Sequence, residues 1–254
     1  MNGNSRKFNF KINKKRLIIP VLVVLTLAAW PAHLTKSDAA VLAGVSPLAI
    51  TMRNLWGAPK GETVDVTLYR SDSALGWNWS RENPLPYTGV NYVEPIYPNA
   101  QIALTTPVTI GKIKSLNLFS DFHYNQTPTG NYSLVYDVFL REPGTKAHKM
   151  ELMVVLDRTQ PQGEATFKGI YSDGNNTYKL YSWMTADGCA FRSFHLNVPP
   201  ATAPYQVNLK ALIDQVKPDK DWYISEVELG TEVWNGAGAV ELTGFYLELN
   251  GERL

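Results

Sequence analysis

The chain has 254 residues, of which 44% are hydrophobic, and this length is sufficient for one well-buried domain. Residues 1–39 hold seven of the 24 Lys and Arg residues and one of the 23 acidic residues, which leaves 17 basic against 22 acidic residues in 40–254. Nucleic acid is therefore excluded as an expected partner, because this acidic remainder has no surplus of positive charge for phosphates. Cys189 is the single cysteine, so an intrachain disulfide and a zinc cluster of thiolates are excluded as well.

The first residues have the layout of an export signal. Basic residues between positions 6 and 16 precede an apolar run of 14 residues, from Leu17 to Trp30. A membrane-spanning helix needs about 20 apolar residues, which favours a signal peptide cleaved near residues 37–40, with an uncleaved membrane anchor as the alternative. We therefore expect a leader in residues 1–39 and one domain in residues 40–254. The expected protein is secreted and monomeric, and it contacts a membrane only if the leader is retained.

The rest of the chain has the pattern of an all-β protein. Short stretches of alternating apolar and polar residues are separated by Gly, Pro, Asn and Asp, which predicts an antiparallel β-sandwich or barrel. One helix is predicted in residues 207–216, where apolar residues recur on one helical face, Asn208 is an N-cap and Pro218 is a stop. The predicted strands cover residues 63–69, 102–105, 114–119, 133–140, 148–157, 166–170, 178–183, 191–197, 222–229 and 239–249.

Alternation along two of these strands places carboxylates on one side of a sheet. The face that starts at Glu151 continues to Asp157, and a second such face ends at Glu232. An unpaired charge is very costly inside a sandwich, so we expect these faces to border a groove or solvent. A single glutamate on a polar strand face is ordinarily only solvated. Two carboxyls facing each other across a cleft, however, are what the hydrolysis of a glycosidic bond requires.

Large aromatic residues add a reason to consider sugar binding. The apolar faces of sugar rings stack on aromatic side chains, and such residues lie here near Gly, Pro and Asn. The alternative is that they fill the core, since Trp and Tyr bury large areas in any sandwich, and for Trp77 and Trp79 both interpretations remain open. The aromatic candidates are Trp56, Trp77, Trp79, Tyr87, Tyr92, Tyr97, Trp183 and Trp234.

The histidines give no indication of a metal centre. His33, His123, His148 and His195 lack the spacing of metal ligands relative to cysteine or carboxylate, so each is expected to be structural or exposed. No cofactor is expected, because hydrolysis needs only water.

Six short motifs in a fixed order resemble glycoside hydrolase family 12, over residues 54 to about 249. The resemblance implies a β-jelly-roll sandwich of two curved antiparallel sheets with an open cleft. It also implies an endo-β-1,4-glucanase (cellulase) that acts on β-glucan and retains anomeric configuration. The motifs are Asn54-Leu55-Trp56-Gly57, Gly76-Trp77-Asn78-Trp79, Tyr97-Pro98-Asn99-Ala100, Val135-Tyr136-Asp137-Val138-Phe139, Glu151-Leu152-Met153-Val154-Val155-Leu156 and the segment from Ile224 to Trp234.

The resemblance also implies roles for individual residues. Glu151 matches the nucleophile, Glu232 the general acid/base, and Asp137 the carboxylate that contacts the nucleophile region. The carboxyls of a retaining pair are expected about 5–5.5 Å apart. The substrate-binding candidates, from the resemblance and from the aromatic pattern together, are Asn54, Trp56, Trp77, Trp79, Met153, Pro161, Trp183 and Trp234.

Two departures from the family pattern leave the substrate open. Val155 stands where the family usually has a tryptophan, and residues 81–86 form a charged insertion to which no role is assigned. The smaller side chain favours a xyloglucan-preferring hydrolase as an alternative to a strict cellulase. A non-catalytic lectin of the same fold is a further alternative, although a lectin has no reason to keep all three carboxylates.

Overall fold

A computed structural model describes residues 45–71, 73–86, 92–145, 147–160, 165–197 and 204–254, and the predicted leader lies outside these ranges. No helix in the described ranges has the length and apolar character needed to cross a membrane. The strands are β1 (Ala49–Met52), β2 (Asp65–Arg70), β3 (Leu75–Arg81), β4 (Asn99–Thr109), β5 (Leu116–Gln126), β6 (Tyr132–Arg141), β7 (His148–Arg158), β8 (Thr166–Ser172), β9 (Thr177–Met184), β10 (Ala190–Leu196), β11 (Tyr205–Asn208), β12 (Tyr223–Val233), β13 (Gly236–Leu249) and β14 (Glu252–Arg253).

The described strands form two sheets. The larger has the order β1-β4-β12-β6-β7-β10-β9-β8, and the smaller has the order β11-β5-β13-β3-β2 with β14 paired to β13. The predicted all-β sandwich is thus confirmed. The sheets are not antiparallel throughout, because β10 inserts between β9 and β7 and runs parallel to β7.

The hydrophobic core lies between the two sheets. Alternate residues of β6 and β7, such as Tyr136 and Leu152, are fully buried there. Trp77 and Trp79 of β3 also belong to this core, with exposed fractions of 0% and 3%. The prediction that these two tryptophans stack on substrate is therefore wrong, and the core alternative is correct. The predicted strands do not include β1, β3, β11 and β14 of the described part of the chain.

A bulge changes which way the end of β7 faces. The register between β6 and β7 slips by one residue just before Asp157, so the alternation that begins at Glu151 is interrupted. The Asp157 carboxylate accepts hydrogen bonds from the hydroxyls of Tyr124 and Tyr132, each at 2.8 Å. Asp157 therefore bonds to residues of both sheets, and its predicted place on the Glu151 face is wrong.

One α-helix, α1 (Leu209–Val216), lies between β11 and β12. Asn208 caps its start, as predicted, by accepting a hydrogen bond from the Ala211 N–H at 3.1 Å. The helix ends at Lys217, whose left-handed conformation (φ 49°) lets its N–H bond to the Ile213 carbonyl. It begins two residues later than predicted, because residues 207–208 still pair with β5 as the end of β11.

Candidate active site

The candidate site lies on the face of the larger sheet that is turned away from the smaller sheet. Thr231 of β12 accepts a hydrogen bond from the indole of Trp77 at 3.1 Å across the core. The next residue, Glu232, therefore points to the opposite face, where Asp137 of β6 and Glu151 of β7 also lie. The alternation in the sequence correctly predicted this shared face.

A cleft lies over this face in two adjoining parts, which we call the main chamber and the side pocket. The main chamber has a volume of about 820 Å³, and Asp137, Glu151 and Glu232 all line it. The side pocket has a volume of about 230 Å³, and Glu232 lines it as well. The residues common to both parts are Trp183, Phe191, Glu232 and Trp234.

Asp137 and Glu151 form a hydrogen-bonded carboxyl pair. Burial raises the pKa of each well above its ordinary range, and the negative charges of neighbouring carboxylates raise it further: that of Glu232 for Asp137, and those of Asp137 and Glu232 for Glu151. Two carboxyls in such contact cannot both ionise easily, so the pair retains one proton near neutral pH. When that proton is on Asp137, Glu151 is a carboxylate whose position is held by the hydrogen bond.

Glu232 is in a different electrostatic environment. Burial, followed by the negative charge of Glu94, raises its pKa to about 8. It is therefore protonated at neutral pH, which is the form that can donate a proton to a leaving oxygen. The same sheet face thus carries Glu232, which holds a proton of its own, and Glu151, which shares a proton with Asp137.

Glu228 is a fourth carboxyl on the same face. It lies opposite Asp137 in the register of β12 and β6, and Asn99 donates a hydrogen bond to it at 3.2 Å. Burial and the charges of Asp137 and Glu226 raise its pKa to about 8, whereas the charge of Arg141 lowers it. Alternation along β12 places Glu228 on the face of Glu232, whereas its position opposite Asp137 depends on the pairing of β12 with β6, which has no local signal in the sequence.

Tyr97 lies among these carboxyls and is 4% exposed. Its hydroxyl hydrogen-bonds to Asp137, and burial raises its pKa, so the phenol stays protonated. Gly230 makes room for its ring, since a Cβ at this position would lie 2.5 Å from the ring atom Cε2. The glycine between Glu228 and Glu232 is therefore a requirement of the close approach of Tyr97 to β12.

Aromatic side chains form parts of the cleft wall. Trp183 stacks on Phe191 with ring centroids 4.5 Å apart, and Phe139 stacks on His148 at the same distance. Trp56 lines the main chamber with 51% of its surface exposed. The structure places Trp56 and Trp183 in the lining of the main chamber, and their binding of substrate stays a prediction.

Asn54 shapes the turn that presents Trp56. Its side-chain oxygen accepts a hydrogen bond from the Trp56 N–H at 3.2 Å, and its carbonyl accepts one from the Tyr97 N–H at 2.8 Å. The sequence predicted a contact between Asn54 and substrate. The structure places Asn54 in the lining of the main chamber and also gives it this role in the turn.

Arg81 explains part of the charged segment that the sequence left without a role. Its guanidinium is fully buried and forms an ion pair with Glu62, with 2.5 Å between Nε and Oε1. It also donates to the carbonyls of Glu94 (2.6 Å), Val233 (2.8 Å) and Gly57 (3.1 Å). Arg81 thereby ties the segments that carry Trp56, Glu94 and Glu232 to one another.

The structure brings most of the predicted site residues together. Met153 lies on the floor of the side pocket and is 5% exposed, while Pro161 and the aromatic candidate Tyr87 lie outside the described residues. Sequence reasoning missed contributions to the cleft from Glu94, Phe139, Phe191, Ser193 and His195. No group of three or more potential metal-ligating side chains occurs in the part of the chain that the structure describes.

Comparisons with known proteins find relatives in sequence and in fold. Endoglucanase S of Pectobacterium parmentieri is 22% identical over 257 residues, which cover 92% of this chain and 95% of that protein. A probable xyloglucan-specific endo-β-1,4-glucanase A of Aspergillus clavatus is 26% identical over 204 residues, covering 75% of this chain and 81% of that protein. A family 12 xyloglucanase from Bacillus licheniformis has a similar fold, with a TM-score of 0.69 and 22% identity over 80% of this chain and 93% of that one.

The sequence profile of glycosyl hydrolase family 12 matches residues 47–250, a range that contains all described strands except the last. It also contains the three carboxyls Asp137, Glu151 and Glu232. The match covers far more than half of the chain, and the two-sheet fold with its carboxyl-lined cleft is consistent with it. The chain therefore belongs to glycosyl hydrolase family 12.

Proposed function

We propose that this protein is a secreted, retaining endo-β-1,4-glucanase with Glu151 as the nucleophile and Glu232 as the general acid/base. The observation that carries the proposal is that Glu151 and Glu232 line one cleft face together with Asp137, which is hydrogen-bonded to Glu151. The pKa of Glu232 is raised to about 8, so this carboxyl can hold a proton for the leaving oxygen at neutral pH. Membership of family 12 and the curated endoglucanase relatives support the same activity.

The proposed reaction has two steps. In the first, Glu232 gives its proton to the glycosidic oxygen while the Glu151 carboxylate attacks the anomeric carbon, which releases one end of the glucan and forms a glycosyl-enzyme. Asp137 keeps the shared proton in this step and orients the attacking oxygen. In the second step, Glu232 takes a proton from water, the resulting hydroxide displaces Glu151 from the anomeric carbon, and both carboxyls return to their starting states.

The aromatic surfaces of the cleft support a polymeric substrate. Trp56 and the stacked pair Trp183 and Phe191 line the same main chamber as the carboxyls. They can bind several consecutive glucose rings, so that the bond presented to Glu232 is an internal one. Cellulose and mixed-linkage β-glucan both have suitable β-1,4-linked chains.

A xyloglucan-specific endoglucanase is the second candidate. The Aspergillus relative is described as probably xyloglucan-specific, and the Bacillus structure is a xyloglucanase. The specific feature in this chain that favours it is the side pocket beside Glu232, which a tryptophan at Val155 would narrow. The two candidates share the same chemistry and differ only in what the cleft accepts.

The first test measures new reducing ends released from carboxymethylcellulose, mixed-linkage β-glucan and xyloglucan. Glu151→Gln is the matched control, because it preserves the size of the side chain and removes the nucleophilic carboxylate. Release by the parent protein and its loss in the control support the hydrolase. Binding of all three polymers without any release would instead identify a lectin of the same fold.

A second test addresses the roles of the two glutamates. Glu232→Ala should lose turnover of unactivated glucan but keep glycosylation by an activated aryl glycoside, whose leaving group needs little help from an acid. Added azide should then restore product formation, since it attacks the glycosyl-enzyme without a base. NMR of the first product should show retained anomeric configuration, and an inverted product would contradict the role of Glu151 as nucleophile.

A further inference from the structure

The lining of the main chamber has a large excess of carboxyls over cationic groups. Six carboxyl side chains line it, whereas its described lining has one arginine, Arg141, which forms an ion pair with the carboxylate of Glu226. His148 adds no positive charge at neutral pH, because burial and the charge of Arg141 lower the pKa of its ring. The lining carboxyls without an ion pair to any described residue are Glu94, Asp137, Glu151, Glu228 and Glu232.

Two buried hydrogen-bond acceptors on this face have no donor. Asp137 Oδ1 and Asn99 Oδ1 lack a hydrogen-bond partner among the described residues. Asp137 is 4% exposed and lines the main chamber. Asn99 is 2% exposed and lies beside the lining, because its Nδ2 donates to Glu228 at 3.2 Å. Buried polar groups are nearly always hydrogen-bonded in folded proteins, so this face suits a ligand that brings donors.

Glu228 and Glu94 are lining carboxyls that the proposed reaction does not use. Glu228 precedes Glu232 by four residues on the same face of β12, which is about 13 Å along a strand, and it lies opposite Asp137 on β6. Glu94 is close enough to Glu232 for its negative charge to raise the pKa of that residue. A neutral glucan leaves the charges of Glu228 and Glu94 uncompensated, whereas a cation within about 4–6 Å would stabilise them.

An ammonium group supplies both the positive charge and the donors that this face lacks, since it has three N–H donors and no acceptor. A chain of β-1,4-linked glucosamine has the backbone of the proposed glucan substrate and carries an ammonium in place of each C2 hydroxyl. We propose that the main chamber also binds and cleaves β-1,4-linked glucosamine chains, with Glu228 and Glu94 binding their ammonium groups. The inference rests on the roles proposed for Glu151 and Glu232 and extends them to a cationic substrate. The excess of 22 acidic over 17 basic residues in 40–254 would also attract such a chain.

Cleavage of this substrate uses the same two steps and needs only water. The bond between the anomeric carbon and the glycosidic oxygen breaks, the oxygen takes the proton of Glu232, and Glu151 bonds to the anomeric carbon. Water then gives its hydroxide to that carbon and its proton to Glu232, which releases Glu151 as a carboxylate. An ammonium at C2 opposes the positive charge that develops on the anomeric carbon in the transition state. Carboxylates around the ring offset this repulsion, so a cationic substrate requires a cleft of this charge.

Two oligosaccharides that differ only at C2 test the inference: the β-1,4-linked glucosamine hexamer and cellohexaose. The measurement is kcat/KM for each at pH 6, from the products that the full-length protein releases. Glu228→Gln and Glu94→Gln keep the size of the side chain and remove its charge. Glu252→Gln is the matched control, because it removes the same charge at an exposed position of β14 in the other sheet. Glu151→Gln should cleave neither hexamer, which would assign both activities to one site.

We expect the parent to cleave both hexamers. The ratio of kcat/KM on the glucosamine hexamer to kcat/KM on cellohexaose should fall about 10- to 100-fold in Glu228→Gln, which corresponds to one hydrogen bond to a charged group. It should fall in Glu94→Gln as well, and the ratio removes any effect of Glu94 on the acid, since both substrates need the same proton. Glu252→Gln should keep the parental ratio. Added salt should lower kcat/KM for the glucosamine hexamer alone.

The possible failures are distinguishable. If the parent cleaves cellohexaose but not the glucosamine hexamer, the inference is wrong while the proposed activity stands. The same conclusion follows if both hexamers are cleaved and both cleft variants keep the parental ratio. Cleavage of the glucosamine hexamer alone would support the inference and overturn glucan as the substrate. If the parent cleaves neither hexamer and no glucan polymer, the proposed function fails and the inference fails with it.

Discussion

Replacing Arg81 with methionine should strongly destabilise the fold. The guanidinium and the Glu62 carboxylate are both fully buried, and they form two hydrogen bonds with each other. Methionine removes these bonds, leaves the Glu62 charge buried without a positive charge to pair with, and leaves the carbonyls of Gly57, Glu94 and Val233 without this donor. Breaking one partner of a buried ion pair costs about 3–5 kcal/mol. This is a large part of the roughly 5–15 kcal/mol by which a domain is stable.

Urea unfolding at pH 7 measures this loss, and a double-mutant cycle isolates its cause. Glu62→Leu alone should also destabilise, because it leaves the Arg81 charge buried and removes the acceptor of the Leu85 N–H. The double variant Arg81→Met/Glu62→Leu has no buried charge, so its loss should be smaller than the sum of the two single losses by about 2 kcal/mol or more. Arg253→Met, which removes an exposed guanidinium stacked on an aromatic ring, is the control and should cost less than about 1 kcal/mol.

Two outcomes would refute this reasoning. One is a loss below about 1 kcal/mol in Arg81→Met, which would mean that the pair is not buried in solution. The other is strict additivity in the cycle, which would mean that Arg81 and Glu62 act independently. If the reasoning is right, activity should suffer as well, because the segments with Trp56 and Glu94 lose their common anchor. KM for β-glucan should then rise in Arg81→Met under conditions in which the variant is still folded.

Three further predictions concern the cleft. If Glu232 is the general acid, as proposed, kcat/KM should fall as the pH rises through its pKa of about 8. Glu94→Gln removes a negative charge that raises this pKa and should move the alkaline limb of the pH profile to lower pH. Trp56→Ala should raise KM without changing the unfolding midpoint, whereas Trp77→Ala should cost about 3–5 kcal/mol of stability because it leaves a core cavity. The pKa of Glu228 is raised to about 8 in the folded protein, so the folded state holds this proton more tightly than the unfolded state does. The resulting contribution to the free energy of unfolding is complete at pH 4 and is lost by about 1.4 kcal/mol per pH unit as the pH rises towards 8. Glu228→Gln should therefore reduce the pH dependence of urea unfolding over this range.

The sequence was sufficient for those features that depend on local pattern. Alternation of apolar and polar residues predicted ten of the fourteen described strands and the shared face of Glu151 and Glu232. The cap at Asn208 and the stop at Pro218 predicted the helix to within two residues, because both are local signals. Family resemblance then added Asp137, whose hydrogen bond to Glu151 could not follow from spacing alone.

Features that depend on distant contacts could not be read from local pattern. Trp77 and Trp79 alternate with polar residues on β3, and alternation does not tell which face of a strand is buried against another sheet. Asp157 left its predicted face because of a one-residue bulge, which a period of two cannot anticipate. Arg81 has partners 13 to 152 residues away, so its burial becomes clear only once the strands are assembled.

Glu151 and Glu232 have different neighbours on this sheet face, which supports different roles for them in the proposed reaction. Four carboxyls in the cleft have raised pKa values, and their ionisation at alkaline pH lowers the stability of the free protein; they are Asp137, Glu151, Glu228 and Glu232. The described residues include no group of metal-ligating side chains that would hold a cation against these charges. A cluster of buried carboxyls that lowers stability is typical of an active site, because activity commonly depends on groups that destabilise the folded protein. In the proposed mechanism, the proton shared by Asp137 and Glu151 must lie on Asp137 when Glu151 attacks, whereas Glu232, whose pKa is raised to about 8, must keep its own proton until the leaving oxygen takes it.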